Sequence, residues 1–296
     1  QGQVARGHAL NPTGLDALRA RHFYYSAAPP ERIDGRLVDW QWDGLAEAPG
    51  RWAPVTVLGR AHPRTMRDGP AWMQTPEGWL LVPSAMPAMR HVPASAGDIV
   101  RHDGPRATLP LTIPARTQVR LLLMRPDIVN AYPQVRVSGG RDAVIRLTYA
   151  EALYDAQGAK GQRTDLAGKH IEGVVDEFVA DGGAGRTFAP LWFRSWRFLE
   201  VHVATAEAPL VLEAVAAMAT GYPFTRVASF TSDDDELARI FDVGWRTAEL
   251  AAHETYMDAP YWEQLQYVGD TRIDALITHA VTGDARLPRR AIELFD

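Results

Sequence analysis

Asp258, Glu263 and Asp270 fall within one stretch, residues 256–272, that also holds Tyr256, Tyr261, Trp262, Tyr267 and Arg272. Pro260 and Gly269 keep that stretch from forming one regular helix. Carboxylates among aromatic rings suit the cleavage of a glycoside. One carboxyl donates a proton to the leaving oxygen, a second stays ionised, and the rings hold the face of a sugar. A Glu263 flanked by Tyr261, Trp262 and Tyr267, with two other acids near it, has two reasons for a raised pKa: desolvation and like charge. Asp258 and Asp270, left ionised, suit hydrogen bonds to sugar hydroxyls. Spacing alone leaves a second reading open, a helix cap with two bystander acids.

The elements that must position these residues divide the chain. Its 296 residues give room for about two domains. Hydrophobic content of 46% and charged content of 23% are those of a globular protein. The net charge of −5 offers no footprint for nucleic acid. Apolar runs are too short to span a bilayer, so no membrane partner is expected. Without cysteine there are no disulfides and no thiolate metal sites. The compartment stays open, with a periplasmic or secreted location favoured over the cytoplasm. Both ends look cut: Gln1 follows no leader, and Glu293-Leu294-Phe295-Asp296 stops inside an apolar-periodic run.

Residues 1–90 read as a β-rich region, a partial sandwich of galactose-binding type. Trp40, Trp42, Trp52, Trp72 and Trp79 in it are twice as readily packing residues as a sugar platform. Residues 91–227 read as an antiparallel β-sandwich. Val119–Met124 is one strand, and Trp196–Val203 is another. Gln134–Val137 and Ala143–Tyr149 flank Ser138-Gly139-Gly140 as a hairpin, and Asp181-Gly182-Gly183 marks a further turn. Asp155 to Lys169 is a long polar loop whose acids fit no calcium spacing. From 228 to 296 the pattern turns helical. Ser232 is the expected N-cap of a first helix with Asp235 in the capping box, ending near His253 or Glu254. Its face is Leu237, Ile240, Phe241, Gly244, Ala248 and Ala251. Asp270 is placed to cap a second helix bearing Ile273, Leu276, Ile277 and Ala280 and closed by Gly283. Asp284 and Pro288 introduce a third, with Leu287, Ala291, Ile292 and Phe295 on one face. The carboxylate stretch is the connection between the first two.

Other constellations fall away. His253-Glu254 lacks a second His four residues on, so no zinc-protease motif is present, and no metal site is expected elsewhere. Gly139-Gly140 and 182–185 do not sit between a strand and a helix, which removes nucleotide binding. Ser195 lacks the flanking glycines of a nucleophile elbow.

The run Asp258-Ala259-Pro260-Tyr261-Trp262-Glu263-Gln264-Leu265-Gln266-Tyr267-Val268-Gly269-Asp270 resembles the catalytic signature of bacterial α-L-rhamnosidases, glycoside hydrolase family 78. Leu147–Asp155, Phe188–Phe198 and Ala251–Asp258 resemble further family stretches in the same order. The resemblance implies antiparallel β-sandwich domains followed by the first helices of an (α/α)6 toroid, truncated at the C-terminus. It implies inverting hydrolysis of terminal α-L-rhamnose on a glycoside or polysaccharide, without a cofactor. Glu263 then falls at the general acid, Asp258 and Asp270 at acids that grip rhamnose hydroxyls, and Tyr267 at a ring-stacking position. Trp262 is a further substrate contact. The general base would lie beyond residue 296, in a missing part of the catalytic domain, so these residues alone would be inactive. The alternative from another class is a non-catalytic carbohydrate-binding β-sandwich with a helical tail.

Overall fold

The structure, a computed structural model, describes residues 24–38, 40, 84–103 and 108–296, with Arg19, His22, Thr56 and the backbone of short strands before residue 84. Among the described residues, fifteen strands precede three helices. They are β1 (Gln3–Val4), β2 (His8–Leu10), β3 (Glu31–Asp34), β4 (Ala53–Pro54), β5 (Arg60–His62), β6 (Gly78–Leu80), β7 (Arg90–Ala94), β8 (Asp98–His102), β9 (Leu111–Ile113), β10 (Gln118–Gly139), β11 (Val144–Ala150), β12 (Val174–Val179), β13 (Arg186–Phe188), β14 (Arg194–Ala204) and β15 (Leu210–Gly221). The helices are α1 (Asp235–Leu250), α2 (Val268–Thr282) and α3 (Arg286–Phe295). Among the described residues, no helix is long and apolar enough to cross a membrane.

Alternation builds the sheet. In β11 the side chains of Ile145, Leu147 and Tyr149 are fully buried, while Arg146 points outward and pairs with Glu177 of β12 at 2.9 Å. Eleven strands form one sheet in the order β2-β3-β12-β11-β14-β10-β15-β7, with β8, β13 and β9 added at the sides. The 22-residue β10 makes the sheet curl. Its first half lies between β14 and β8, and its second half pairs with β15 and β13, with the register shifting between Met124 and Val129. Inward residues of both halves, among them Leu121, Val135, Leu147, Phe178, Trp196 and Leu212, meet in a single core. The expected sandwich is therefore a curled sheet around one core. Glu31–Asp34, from the N-terminal region, joins its edge through a parallel pairing with β12.

The expected hairpin is not formed. β10 and β11 are separated by β14, which pairs with both. Gly139 and Gly140 do turn the chain, at φ 73 and 62. Gly140 N–H, however, donates to Pro209 C=O at 2.8 Å, which fixes the end of β10 to the start of β15. Asp142 N–H donates to Ala180 C=O at 3.0 Å and ties β11 to β12. The turn is local, but long-range ladder bonds choose its neighbours.

The helix termini also shift. Asp234, not Ser232, is the N-cap of α1 and accepts from Glu236 N–H at 2.8 Å, while Ser232 accepts from Asp234 N–H two residues earlier. The helix ends at Leu250 rather than near His253, because Ala252 and Tyr256 form a β-bridge that takes over the backbone. Tyr267 occupies the N-cap of α2, so Asp270 lies in the first turn instead of capping it. Gly283 closes α2 in the left-handed conformation, as expected. The expected helix faces come out divided. Trp245 and Ala248 are buried on α1 while Leu237 and Ile240 are exposed. On α2 the buried residues are Thr271, Thr278 and Val281, and Ile273, Leu276 and Ile277 face solvent. On α3 Leu287 and Ala291 are buried, but Ile292 and Phe295 are not.

Trp40 packs, with its indole N–H on Gly35 C=O at 2.9 Å and its ring edge-on to Phe178. Trp42, Trp52, Trp72 and the side chain of Trp79 lie outside the described residues. In the loop after β11, Asp155 accepts from Gln157 and Ala159 N–H at 3.0 and 2.8 Å, the work of a turn-forming side chain.

Candidate active site

The connection 251–267 leaves α1 and enters α2 as a closed loop. Asp258 N–H donates to Leu265 C=O at 2.9 Å, and the Asp258 carboxylate accepts from Leu265 N–H at 3.0 Å. Gln264 takes φ +55, a left-handed conformation that costs a non-glycine residue free energy. Its side chain offsets that cost through two bonds, Nε2 to Pro260 C=O and Oε1 from Trp192 Nε1, both at 2.8 Å.

The sheet holds this loop as firmly as the helices do. Tyr261 is buried, and its hydroxyl donates to Tyr149 C=O at 2.7 Å. Gly173 makes room for it, since a Cβ there would stand 2.6 Å from the Tyr261 hydroxyl and 1.7 Å from Tyr149 O. Trp262 C=O accepts from Ser26 and Ala27 N–H at 2.9 and 3.1 Å, and its indole donates to Glu151 at 3.0 Å. Ser195, with its hydroxyl 2.6 Å from Pro260 C=O, is one of these anchors.

Segment 24–34 is held in turn by a buried ion network. Arg194, 1% exposed, forks onto Asp176, 0% exposed, at 2.8 and 2.7 Å, and it also donates to Ala28 and Pro29 C=O. Asp176 accepts from Glu31 N–H at 2.7 Å, and the Glu31 carboxylate caps Leu191 and Trp192 N–H. Every strong acceptor here has donors, which is what a buried charge requires.

That strap carries Tyr24 to the loop. The Tyr24 hydroxyl hydrogen-bonds with Glu263 and with Tyr267, and Tyr267 donates to Glu263 at 2.9 Å. Asp258 and Glu263 hydrogen-bond to each other, and the bond moves their pKa values in opposite directions. Partial burial, then the bond to Glu263, pushes the Asp258 pKa up. Hydrogen bonds from Asp258, Tyr267 and Tyr24 favour the Glu263 anion and pull its pKa down against some desolvation. The raised Glu263 expected from its aromatic neighbours is not found in the free chain. Tyr261 turns into the core and Trp262 donates its indole N–H to Glu151, so the bond to Asp258, aided by the hydroxyls of Tyr267 and Tyr24, outweighs desolvation.

Asp258, Glu263 and Tyr267 thus converge, with Trp262 beneath. Asp270 is exposed in the first turn of α2, and no hydrogen bond among the described residues joins it to the pair. Its charge acts on Asp274, whose pKa is raised to about 6, first by burial and then by Asp270. Beside Glu263 opens a cleft of about 440 Å³, lined by His22, Tyr24, Tyr154, Gly158, Lys160, Ala259, Trp262 and Glu263. Sequence reasoning passed over His22, Tyr24, Lys160 and Asp274. Only Asp274 carries a local signal, its i, i+4 spacing from Asp270. A second concavity of about 390 Å³, between Arg101, Arg120 and Glu200, shares no lining residue with the first. Among the described residues no group of three His, Asp or Glu could hold a metal ion.

No protein-family model and no curated protein matches the chain. Solved structures do. A GH78-family rhamnosidase of Bacillus sp. GL1 is similar over 64% of this chain and 19% of its own, at 20% identity and a TM-score of 0.52. A rhamnosidase from Klebsiella oxytoca with rhamnose bound covers 71% of this chain and 44% of its own, at 17% identity and a TM-score of 0.56. An α-L-rhamnosidase from Aspergillus terreus covers 90% and 27%, at 14% identity and a TM-score of 0.52. The likeness is one of fold, and the chain spans less than half the length of each of these structures.

Proposed function

We propose that this chain is the β-rich portion and first helices of an inverting α-L-rhamnosidase, with Glu263 as its general acid. The observation that carries the reading is the hydrogen-bonded cluster of Asp258, Glu263, Tyr267 and Tyr24 beside a cleft, in a fold shared with rhamnosidases. Rhamnose lies against Asp258, Asp270 and Tyr267. Its hydroxyls donate to Asp258 and hold it ionised, and the like charge then favours the protonated form of Glu263. Glu263 gives that proton to the glycosidic oxygen as the C1–O bond breaks and its electron pair passes to oxygen. Water attacks C1 from the opposite face and loses its proton to a base across a gap of ~6.5–9.5 Å. The exposed faces of α1 and α2 suit further helices of an (α/α)6 toroid, which would carry that base.

The test is release of L-rhamnose from an aryl α-L-rhamnoside by the protein at the full length of its structural neighbours. Glu263→Gln should lower kcat about 10²–10⁴-fold. A variant that keeps nearly the wild-type rate on a poor leaving group removes Glu263 from the role.

A further inference from the structure

Lys160 stands in the cleft beside Glu263 with its ammonium 5.8 Å from the ring centroids of both Tyr154 and Trp262. It is half-buried and in no ion pair among the described residues. Acids that bond the residues lining the cleft, and Glu263 itself, are otherwise engaged. Glu151 accepts the Trp262 indole N–H at 3.0 Å, Glu172 bonds His22 and His170, and Glu263 takes Tyr267 and Tyr24. Two ring faces therefore steady the cation without neutralising it. The turn that presents it is fixed by Asp155.

The cleft also has a side. Its lining includes Glu263 and Trp262 but not Asp258, Tyr267 or Asp270. A glycoside lies on both sides of the oxygen that is protonated. If rhamnose takes the side of Asp258, Asp270 and Tyr267, the group it leaves takes the other. Rings of His22, Tyr154 and Trp262, tilted against one another at 5.0 and 5.5 Å, offer that group an aromatic wall. Tyr24 and Glu263 offer polar atoms.

We infer that this cleft is the leaving-group subsite and that Lys160 selects leaving groups bearing a carboxylate, such as a uronic acid. The placement of the subsite rests on the role of Glu263 proposed above, whereas the anion selectivity is a property of the cleft alone. A carboxylate meeting a half-buried, unpaired ammonium gains a charge-assisted hydrogen bond that a neutral hydroxymethyl group lacks.

The experiment is an NMR titration of the 296-residue chain with methyl glucuronoside, and with methyl glucoside as the neutral probe. Glucuronoside should bind more tightly by about tenfold, the size of one such bond, with shifts at Lys160, Trp262 and Ala259. Lys160→Gln should abolish the difference, and Lys160→Arg should keep it. Matching thermal melts of the variants show that the fold is kept. Equal binding of both probes to the wild type, or a preference that survives Lys160→Gln, overturns the inference. The titration reads no catalysis, so its failure is separate from that of the rhamnosidase reading, which aryl rhamnoside hydrolysis tests.

Discussion

Asp274 and Glu263 show how a single carboxyl takes its character from what surrounds it. Burial and the Asp270 charge raise the Asp274 pKa to about 6. The folded chain therefore binds a proton that the unfolded chain releases near pH 4. Stability from this group is full below that value and is lost as pH rises through about 6. Asp274→Asn should raise stability at pH 7 by about 1–2 kcal/mol, after discounting for partial exposure, and leave it unchanged at pH 3.5. Paired thermal melts at the two pH values check this, and an equal effect at both would refute it. Glu263 is the opposite case, its pKa lowered first by the bond to Asp258 and then by the hydroxyls of Tyr267 and Tyr24. Tyr24→Phe removes one donor and should raise the Glu263 pKa, read from its carboxyl carbon-13 shift. No change would mean that Tyr24 does not bond it in solution. The carboxylates and Tyr267 were legible from type and spacing, because they lie in one connection. Tyr24 and Lys160 were not, since long-range packing alone brings them there.

Segment 24–30 and the loop 258–265 are without regular structure, so their geometry depends on anchors. The Arg194–Asp176–Glu31 network is the strongest of these. Asp176→Asn leaves Arg194 buried against a neutral partner and should cost about 3–5 kcal/mol. Urea unfolding measures this. Replacing both partners, Asp176→Leu with Arg194→Met, should cost less than the single change, because no charge is left buried. A double variant as unstable as the sum of its singles would argue against charge burial as the cause. Nothing in the sequence announced this network. Asp176 alternates inward with Val174 and Phe178 as an apolar residue would, and pattern alone reads it as an error. The same limit explains the failed hairpin. Strand periods and the Gly139-Gly140 turn are local facts, whereas β14 enters between β10 and β11 from more than forty residues downstream. The start of α1 moved by two residues because Asp234 caps the first turn while Ser232 accepts from Asp234 N–H just before it.

Across the whole molecule the two halves differ in what they bury. The curled sheet closes a continuous core, but the helices pack on it with narrow faces. Leu237, Ile240 and Val243 on α1 are 45%, 59% and 68% exposed, and Ile273, Leu276 and Ile292 on α2 and α3 are 56%, 62% and 69% exposed. Isolated apolar residues on a surface are ordinary, but rows of them on neighbouring helices form a patch of the kind that associates. The sequence showed these residues, Val243 apart, as helix faces and could not show that the sheet would cover only the narrower side of each. The chain should therefore associate in a concentration-dependent way, with a sedimentation coefficient that rises from micromolar to higher loading. Ile240→Glu combined with Leu276→Glu should restore a monomer while changing unfolding free energy by no more than about 0.5 kcal/mol per site, the usual range for exposed positions. If the wild-type chain sediments as a monomer at every concentration, the exposed faces do not drive association. If the double glutamate variant loses stability well beyond that range, these side chains are packed in solution and the helices sit differently on the sheet.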